Sequence, residues 1–238
     1  MNRTDALVRF YGALERLEHR LGGKRMLGQC RGSLGWPKRG VYFFFEDGEL
    51  RSDTGIGLRV VRVGTHGLTL GSKSTLWQRL SAHRGSHSGG GNQRGSIFRR
   101  LVGDCLLRKG LFGNIPSWNC GSSAATAASE CGLSKESVRE TEKQLEEAVS
   151  LHVRAMPFLW LNVPDDPGRD SERAFIESGS IALLSNHGRP PLDAASETWL
   201  GRWSCRENVR GSHLWNQRFV EDEVSEDFLT ALEKRIES

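Results

Sequence analysis

Along the first twenty residues, Leu7, Phe10, Leu14, Leu17 and Leu21 recur at spacings of three and four, the repeat of one helix face. Thr4 or Asp5 can cap the start, and Gly22-Gly23 supplies the stop. This apolar stripe suits either a brace packed on its own domain or the seam of a homo-oligomer. From Gly40 the period changes. Gly40-Val41-Tyr42-Phe43-Phe44-Phe45 is β-branched and aromatic between Pro37 and Asp47-Gly48, and Leu58 to Val63 follows before Gly64. The pair predicts an antiparallel hairpin with a long polar loop.

Helical spacing returns with Leu76, Trp77 and Leu80 behind Ser74 as a cap, and again over Ser96 to Lys109 with Ile97, Leu101, Cys105 and Leu106 inward. Between them, Gly85 to Gly95 is rich in Gly, Ser and His, the composition of a mobile loop. Residues 113–133 carry no clear period, and Ser134 opens a charged helix to about Val149. Arg154 to Val163 reads as a third strand, with Pro157 at an edge or bulge. Ser171 opens a helix carrying Ala174, Phe175, Ile181 and Leu184, stopped by Asn186-His-Gly188. A last helix behind Ser225 gathers Phe228, Leu229, Leu232 and Ile236 on one face. The elements predict an α+β fold: a small, mainly antiparallel three-stranded sheet flanked by helices, with a helical insertion at about 105–152 and terminal helices. The expected division is a brace helix over 1–30, a central domain over 31–200 and a helical extension over 201–238.

Composition narrows the classes. The 238 residues are 37 % hydrophobic, with seven Trp and ten Phe, enough to build a core without covalent staples. No apolar run reaches the ~18 residues of a membrane span, so a membrane protein is not expected. No secretory leader is evident at the start, and five cysteines without a C-x-x-C pair point to free thiols and a cytoplasmic setting.

The net charge of +4 is unevenly spread: residues 1–118 balance at +12 and residues 119–238 at −8. A basic half suits a polyanion, so nucleic acid is the expected partner. Gly55-Ile-Gly57 precedes a strand where a dinucleotide fingerprint would follow one. Gly71-Ser-Lys-Ser74 misses the Gly-Lys-Ser/Thr order of a phosphate loop, and no Gly-x-Ser-x-Gly elbow or His-Glu-x-x-His pair occurs.

The remaining chemistry is distributed. Tyr42, one of two tyrosines, sits within an apolar strand. Arg79 and His83 are one helical turn apart, and Glu177 lies in a helix of mostly apolar and small neighbours. Phenol, guanidinium, imidazole and carboxylate are the groups that phosphodiester cleavage needs: a base for water, a cation for the pentacovalent phosphate and a ligand for a divalent metal.

Gly40-Val41-Tyr42, Arg62-Val63-Gly64, Leu76-Trp-Gln-Arg79-Leu-Ser-Ala-His83 and Glu172-Arg-Ala-Phe-Ile-Glu177, in that order, resemble the GIY-YIG nuclease superfamily. The last stretch looks like the glutamate helix of the bacterial excision-repair members. The Arg79/His83 spacing is similar to that of the restriction-endonuclease members. The resemblance spans roughly residues 38–104 and 153–190. It implies a metal-dependent endonuclease acting on double-stranded DNA in restriction, repair or defence, with Tyr42 orienting or deprotonating water and His83 accepting the phenolic proton. Arg79 would grip the scissile phosphate, and Glu177 would hold one Mg²⁺ or Mn²⁺. Asn186 is the expected assisting polar residue, and Lys73, Arg84 and Arg94 the expected substrate contacts. Arg62 stands where the superfamily has its second tyrosine, with His66 just beyond as a substitute. The alternative is a binding module on this scaffold that no longer cuts, or a subunit that needs a partner at the insertion or the first helix.

Overall fold

The computed structural model describes residues 1–225 and 227–238. Helix α1 (Arg3–Leu21) starts at Asn2, whose side chain accepts from the Asp5 amide at 2.8 Å, and ends at Gly22 in the left-handed region. The cap is therefore Asn2, not Thr4 or Asp5. Its stripe of Leu7, Phe10, Leu14 and Leu17 is buried within the chain against the sheet and the last helix, α8 (Phe228–Glu237). That burial makes the stripe a brace and leaves none of it for an oligomer seam.

The sheet has four strands where three were expected, in the order β1 (Arg25–Met26), β4 (Pro157–Asn162), β2 (Gly40–Leu50), β3 (Leu58–Gly64), all neighbours antiparallel. Strand β1 is two residues long, too short to show a period. Because β2 is central and covered on both faces, it reads as an unbroken apolar run. Val41, Phe43 and Phe45 enter one core with α1, α6 (Glu172–Leu184) and α8. Tyr42 and Phe44 enter the other, with α2 (Leu76–Arg84), α3 (Ile97–Arg108) and α5 (Lys135–Arg154).

Local signals set most boundaries. Thr75, rather than Ser74, caps α2 in a reciprocal box with Gln78. Ser171 caps α6, the helix it was expected to open, and Ser96 caps α3, whereas Asp227 precedes α8 where Ser225 was expected. Helix α5 runs on to Arg154, and the third long strand begins only at Pro157, where a proline amide breaks no ladder. Within the insertion lies α4 (Ala124–Cys131), and a six-residue helix α7 (Glu207–Ser212) precedes the C-terminal segment.

The Gly-rich stretch after α2 is a tied turn. Ser86 and Gly90 are bonded at 2.8 Å, Ser150 holds the Gly90 carbonyl, and the lack of a side chain at Gly91 leaves room for the Arg99 guanidinium. Arg99 and Glu146 form a buried ion pair between α3 and α5, and Arg94 and Glu142 form a second pair beside it. Among the described residues no helix is long and apolar enough to cross a membrane.

Candidate functional site

Strands β2 and β3 place Tyr42 opposite Gly64, with Arg62 two residues earlier paired to Phe44. Pleating sends Tyr42, Phe44 and Arg62 to one face, toward α2 and α3. Tyr42 is fully buried, and its Oη lies 2.8 Å from His83 Nε2. His83 Nδ1 lies 2.7 Å from the Ser96 hydroxyl, which also accepts the Arg99 amide to cap α3. Burial, then the charges of Arg79, Arg62 and Arg99, holds the His83 imidazole well below its ordinary titration range. The ring is neutral at pH 7 and bridges a phenol and a serine hydroxyl.

Beside this relay lies a cleft of about 480 Å³ whose walls include Arg62, Arg79, Glu177, Asn216 and Arg218. Arg62 is buried in its floor, donating to the Trp215 carbonyl, with its guanidinium 4.7 Å above the Phe98 ring. Burial lowers the Arg62 pKa, and the neighbouring Tyr42 and Glu177 oppose that shift. The guanidinium stays charged, as arginine does in proteins. The Nε of Arg62 and the Nε of Arg79 are both buried without a protein acceptor. Both guanidinium groups line the cleft, and guanidinium donors short of protein acceptors suit an anion.

Glu177 projects from α6 into the same cleft. Its Oε1 accepts the Thr65 amide at 3.0 Å, and Oε2 has no protein donor among the described residues. Burial raises its pKa, while Arg62, the Thr65 amide, Arg79 and Arg218 pull it back down. No group of three or more His, Cys, Asp and Glu side chains is poised to hold a metal among the described residues. A divalent ion would thus have one protein ligand, the free oxygen of Glu177. That donor suits Mg²⁺, which keeps several waters and takes further oxygens from phosphate. The residues fit such an ion.

The GIY-YIG domain profile matches residues 1–238. The chain belongs to the GIY-YIG nuclease superfamily. No curated protein and no solved structure matches it. On the GIY-YIG scaffold seen here, Gly40-Val41-Tyr42 and Arg62-Val63-Gly64 lie on neighbouring strands and meet at the Tyr42–Gly64 pair.

The other expected residues are dispersed. His66 is buried with Nε2 3.3 Å from the Lys38 carbonyl, its pKa lowered to about 4, chiefly by burial, and it does not line the cleft. Asn186 is tied to the Leu192 backbone on both sides of its amide, to Arg3 and to His213, which makes it a loop fastener away from Glu177. Lys73 is exposed on the loop before α2. Arg84 donates to the Cys30 carbonyl and lies over Trp77, and Arg94 is enclosed by Glu142 and the Ser117 and Cys120 carbonyls. Neither arginine lines the cleft that holds Glu177.

Sequence reading missed the segment from Trp215 to Phe219. The Trp215 amide donates to the Val61 carbonyl at 2.7 Å, and the Asn216 side chain bonds both backbone groups of Val63. The segment therefore covers the outer edge of β3 and carries Asn216 and Arg218 into the cleft. No periodicity marks it; one Trp in a polar stretch is its sole signal.

Proposed function

We propose that the chain is a divalent-metal-dependent endonuclease that hydrolyses phosphodiester bonds of DNA in the cleft between β3, α2 and α6. The observation that carries this reading is the grouping of three guanidinium groups, from Arg62, Arg79 and Arg218, around the one half-free carboxylate of Glu177. Cations so arranged bind a phosphate diester and offset the charge that builds up in an in-line displacement. Glu177 would hold Mg²⁺ or Mn²⁺ through Oε2, the oxygen without a protein donor among the described residues. When bound, such an ion supplies Lewis-acid stabilisation of the phosphoryl oxygens and eases deprotonation of water.

Arg79, half-buried on the cleft wall with no side-chain hydrogen bond to the protein among the described residues, grips the scissile phosphate. Tyr42 orients the attacking water and receives its proton as its own passes to Nε2 of neutral His83. The relay matters because a protonated phenol can take a proton from water only as its own leaves. Ser96 fixes the far side of the ring. Tyr42 is fully buried, so its role calls for Arg62 to turn from the Trp215 carbonyl onto the phosphate and bare the hydroxyl. Lys73, exposed at the α2 approach, contacts the flanking backbone.

That same burial favours a second reading, a nucleic-acid-binding module that does not cut, with Arg62 sealing the phenol permanently. One experiment separates the two. Supercoiled plasmid is incubated with the purified full chain or Glu177→Gln, in Mg²⁺, Mn²⁺ or chelator. The nuclease reading expects metal-dependent nicking or linearisation by the wild type, lowered at least about 100-fold in Glu177→Gln, since metal charge stabilisation is worth several kcal/mol. Binding without cleavage under every metal would establish the module instead, and full activity of Glu177→Gln would move the metal elsewhere.

A further inference from the structure

A second cavity, of about 680 Å³, opens on the far side of the segment that begins α3: Asn92 and Arg94 line it, while Ile97 and Leu101 line the Glu177 cleft. Its walls are α5, the N-terminus of α4 and the turn at Gly90-Gly91. Small-molecule pockets are mostly apolar. This one presents charged side chains, small residues and backbone.

Three exposed cations, Lys135, Arg139 and Lys143, line it at four-residue intervals on α5, and none makes an ion pair among those formed by the described residues. The acids on the same wall are already engaged. Glu142 takes Arg94 at 2.6 and 2.8 Å, and Glu146 takes Arg99 at 3.0 Å. Glu140 and Glu147 face the neighbouring hollow beyond Lys143. The groove's surplus charge is thus positive. On the opposite wall the Ser123 hydroxyl accepts the Thr126 amide, and the Ala124 and Ala125 amides have no protein acceptor among the described residues. Those amides add donors to a field already set by the cations.

We infer that this groove docks the sugar-phosphate backbone of the nucleic-acid substrate, as a second contact apart from the cleft that holds Glu177. The reach agrees with that occupant. Eight residues of α5 rise about 12 Å, over which one strand of a duplex, at about 3.4 Å per charge, presents roughly three phosphates. Three cations meet three phosphates. The buried Arg94–Glu142 and Arg99–Glu146 pairs serve the groove by removing both acids and by fixing α5 against α3. The inference rests on nucleic acid being the partner, not on cleavage.

The test is binding of a labelled duplex by the full chain in chelator, over a series of salt concentrations. The variant Lys135→Gln/Arg139→Gln/Lys143→Gln should lower the slope of log Kd against log salt by about 2 to 3, and Arg139→Gln alone by about 1. A charge-matched control at exposed cations elsewhere, Arg20→Gln/Arg169→Gln/Lys234→Gln, should leave the slope within about 0.5 of wild type. An unchanged slope in the groove triple would overturn the inference. So would an equal loss in the control, or no duplex binding by the wild type. Circular dichroism of the exposed-site variants confirms that α5 is intact. If the groove triple loses slope while no plasmid is ever cut, cleavage alone falls; if plasmid is cut and the slope holds, the groove alone falls.

Discussion

Gly64 and Tyr42 are cross-strand partners in which the absence of a side chain on one makes room for the ring of the other. A Cβ on Gly64 would sit 2.5 Å from Tyr42 Cζ and 2.8 Å from Cε2, closer than any real contact. The glycine is needed for space rather than for its backbone angles. Gly64→Ala should displace the Tyr42 ring, break its contact with His83 and cost about 1–3 kcal/mol, the usual penalty of overpacking. Urea unfolding of Gly64→Ala, Tyr42→Ala and the double variant checks this. The double variant should be more stable than the sum of the two losses implies.

Arg62 gives a second prediction. Its guanidinium donates to Trp215, covers Phe98 and lines the cleft with Glu177. Under the nuclease reading, Arg62→Ala should lower single-turnover cleavage by about 10²–10³, the effect of removing one donor to a charged transition state. Arg62→Tyr, which restores a phenol, should recover part of that loss. Equal rates for wild type and Arg62→Ala would remove Arg62 from the reaction.

Arg94 should behave as a structural residue. It is enclosed with Glu142, their side chains 4 % and 7 % exposed, so Arg94→Ala leaves a buried carboxylate without its partner. Loss of one member of a buried pair costs about 3–5 kcal/mol. Thermal unfolding should show that loss. At a temperature where the variant is folded, its affinity for DNA should fall, because the freed Glu142 carboxylate then faces the groove on α5, and Arg94→Ala/Glu142→Gln should bring it back to within about threefold of wild type.

Stability should also carry a pH signature from Glu46. Burial raises its carboxyl to about 7, against the pull of the Trp215 and Trp199 indole N–H groups, and His152 Nε2 lies 3.3 Å away. A carboxyl raised on folding holds a proton that the unfolded chain releases near ~4.3. Its favourable contribution is therefore full below that pH and lost as pH rises through about 7. Glu46→Gln, which does not titrate, should gain stability relative to wild type as pH rises from ~4.3, by at most about 1.4 kcal/mol for each pH step of one, and level off above neutrality. The histidines act oppositely. His66, His152 and His213 are each lowered to about 4, so they remain neutral in the fold while the unfolded chain takes up protons near ~6.5. Their contribution is lost as pH falls from ~6.5 to about 4. Urea midpoints at about pH 4.5, 6.5 and 8 for wild type and Glu46→Gln, spanning these titrations, measure both arms.

Local periodicity was enough for α1, α3, α6, α8 and the central hairpin, because each repeats one buried face over several turns or pleats. The ordered set of Tyr42, Arg79, His83 and Glu177 was legible for a different reason: their residue types and helix or strand settings are visible one segment at a time. Strand β1 was not legible, since two residues have no period and pair only because β4 offers an edge. Arg84 and Arg94 look like any other basic residue in a basic half. Only the fold shows that Glu142 and two carbonyls enclose Arg94, and that Arg84 is drawn to the Cys30 carbonyl and Trp77, away from Glu177.

By itself, the sequence determined the α+β class, the main elements and the residue types that one site could hold, because those depend on neighbours a few positions apart. The tertiary structure decided which of them meet. Tyr42 and His83 are separated by 41 residues, and Thr65 and Glu177 by 112, and each contact exists only because β2, β3, α2 and α6 pack on one another. The same packing brought Asn216 and Arg218 into the cleft, buried the Tyr42 hydroxyl and held Asn186 outside. Chain distance carries no record of these meetings: burial, charge and hydrogen-bond supply are properties of the assembled interior, set by which surfaces close against each other.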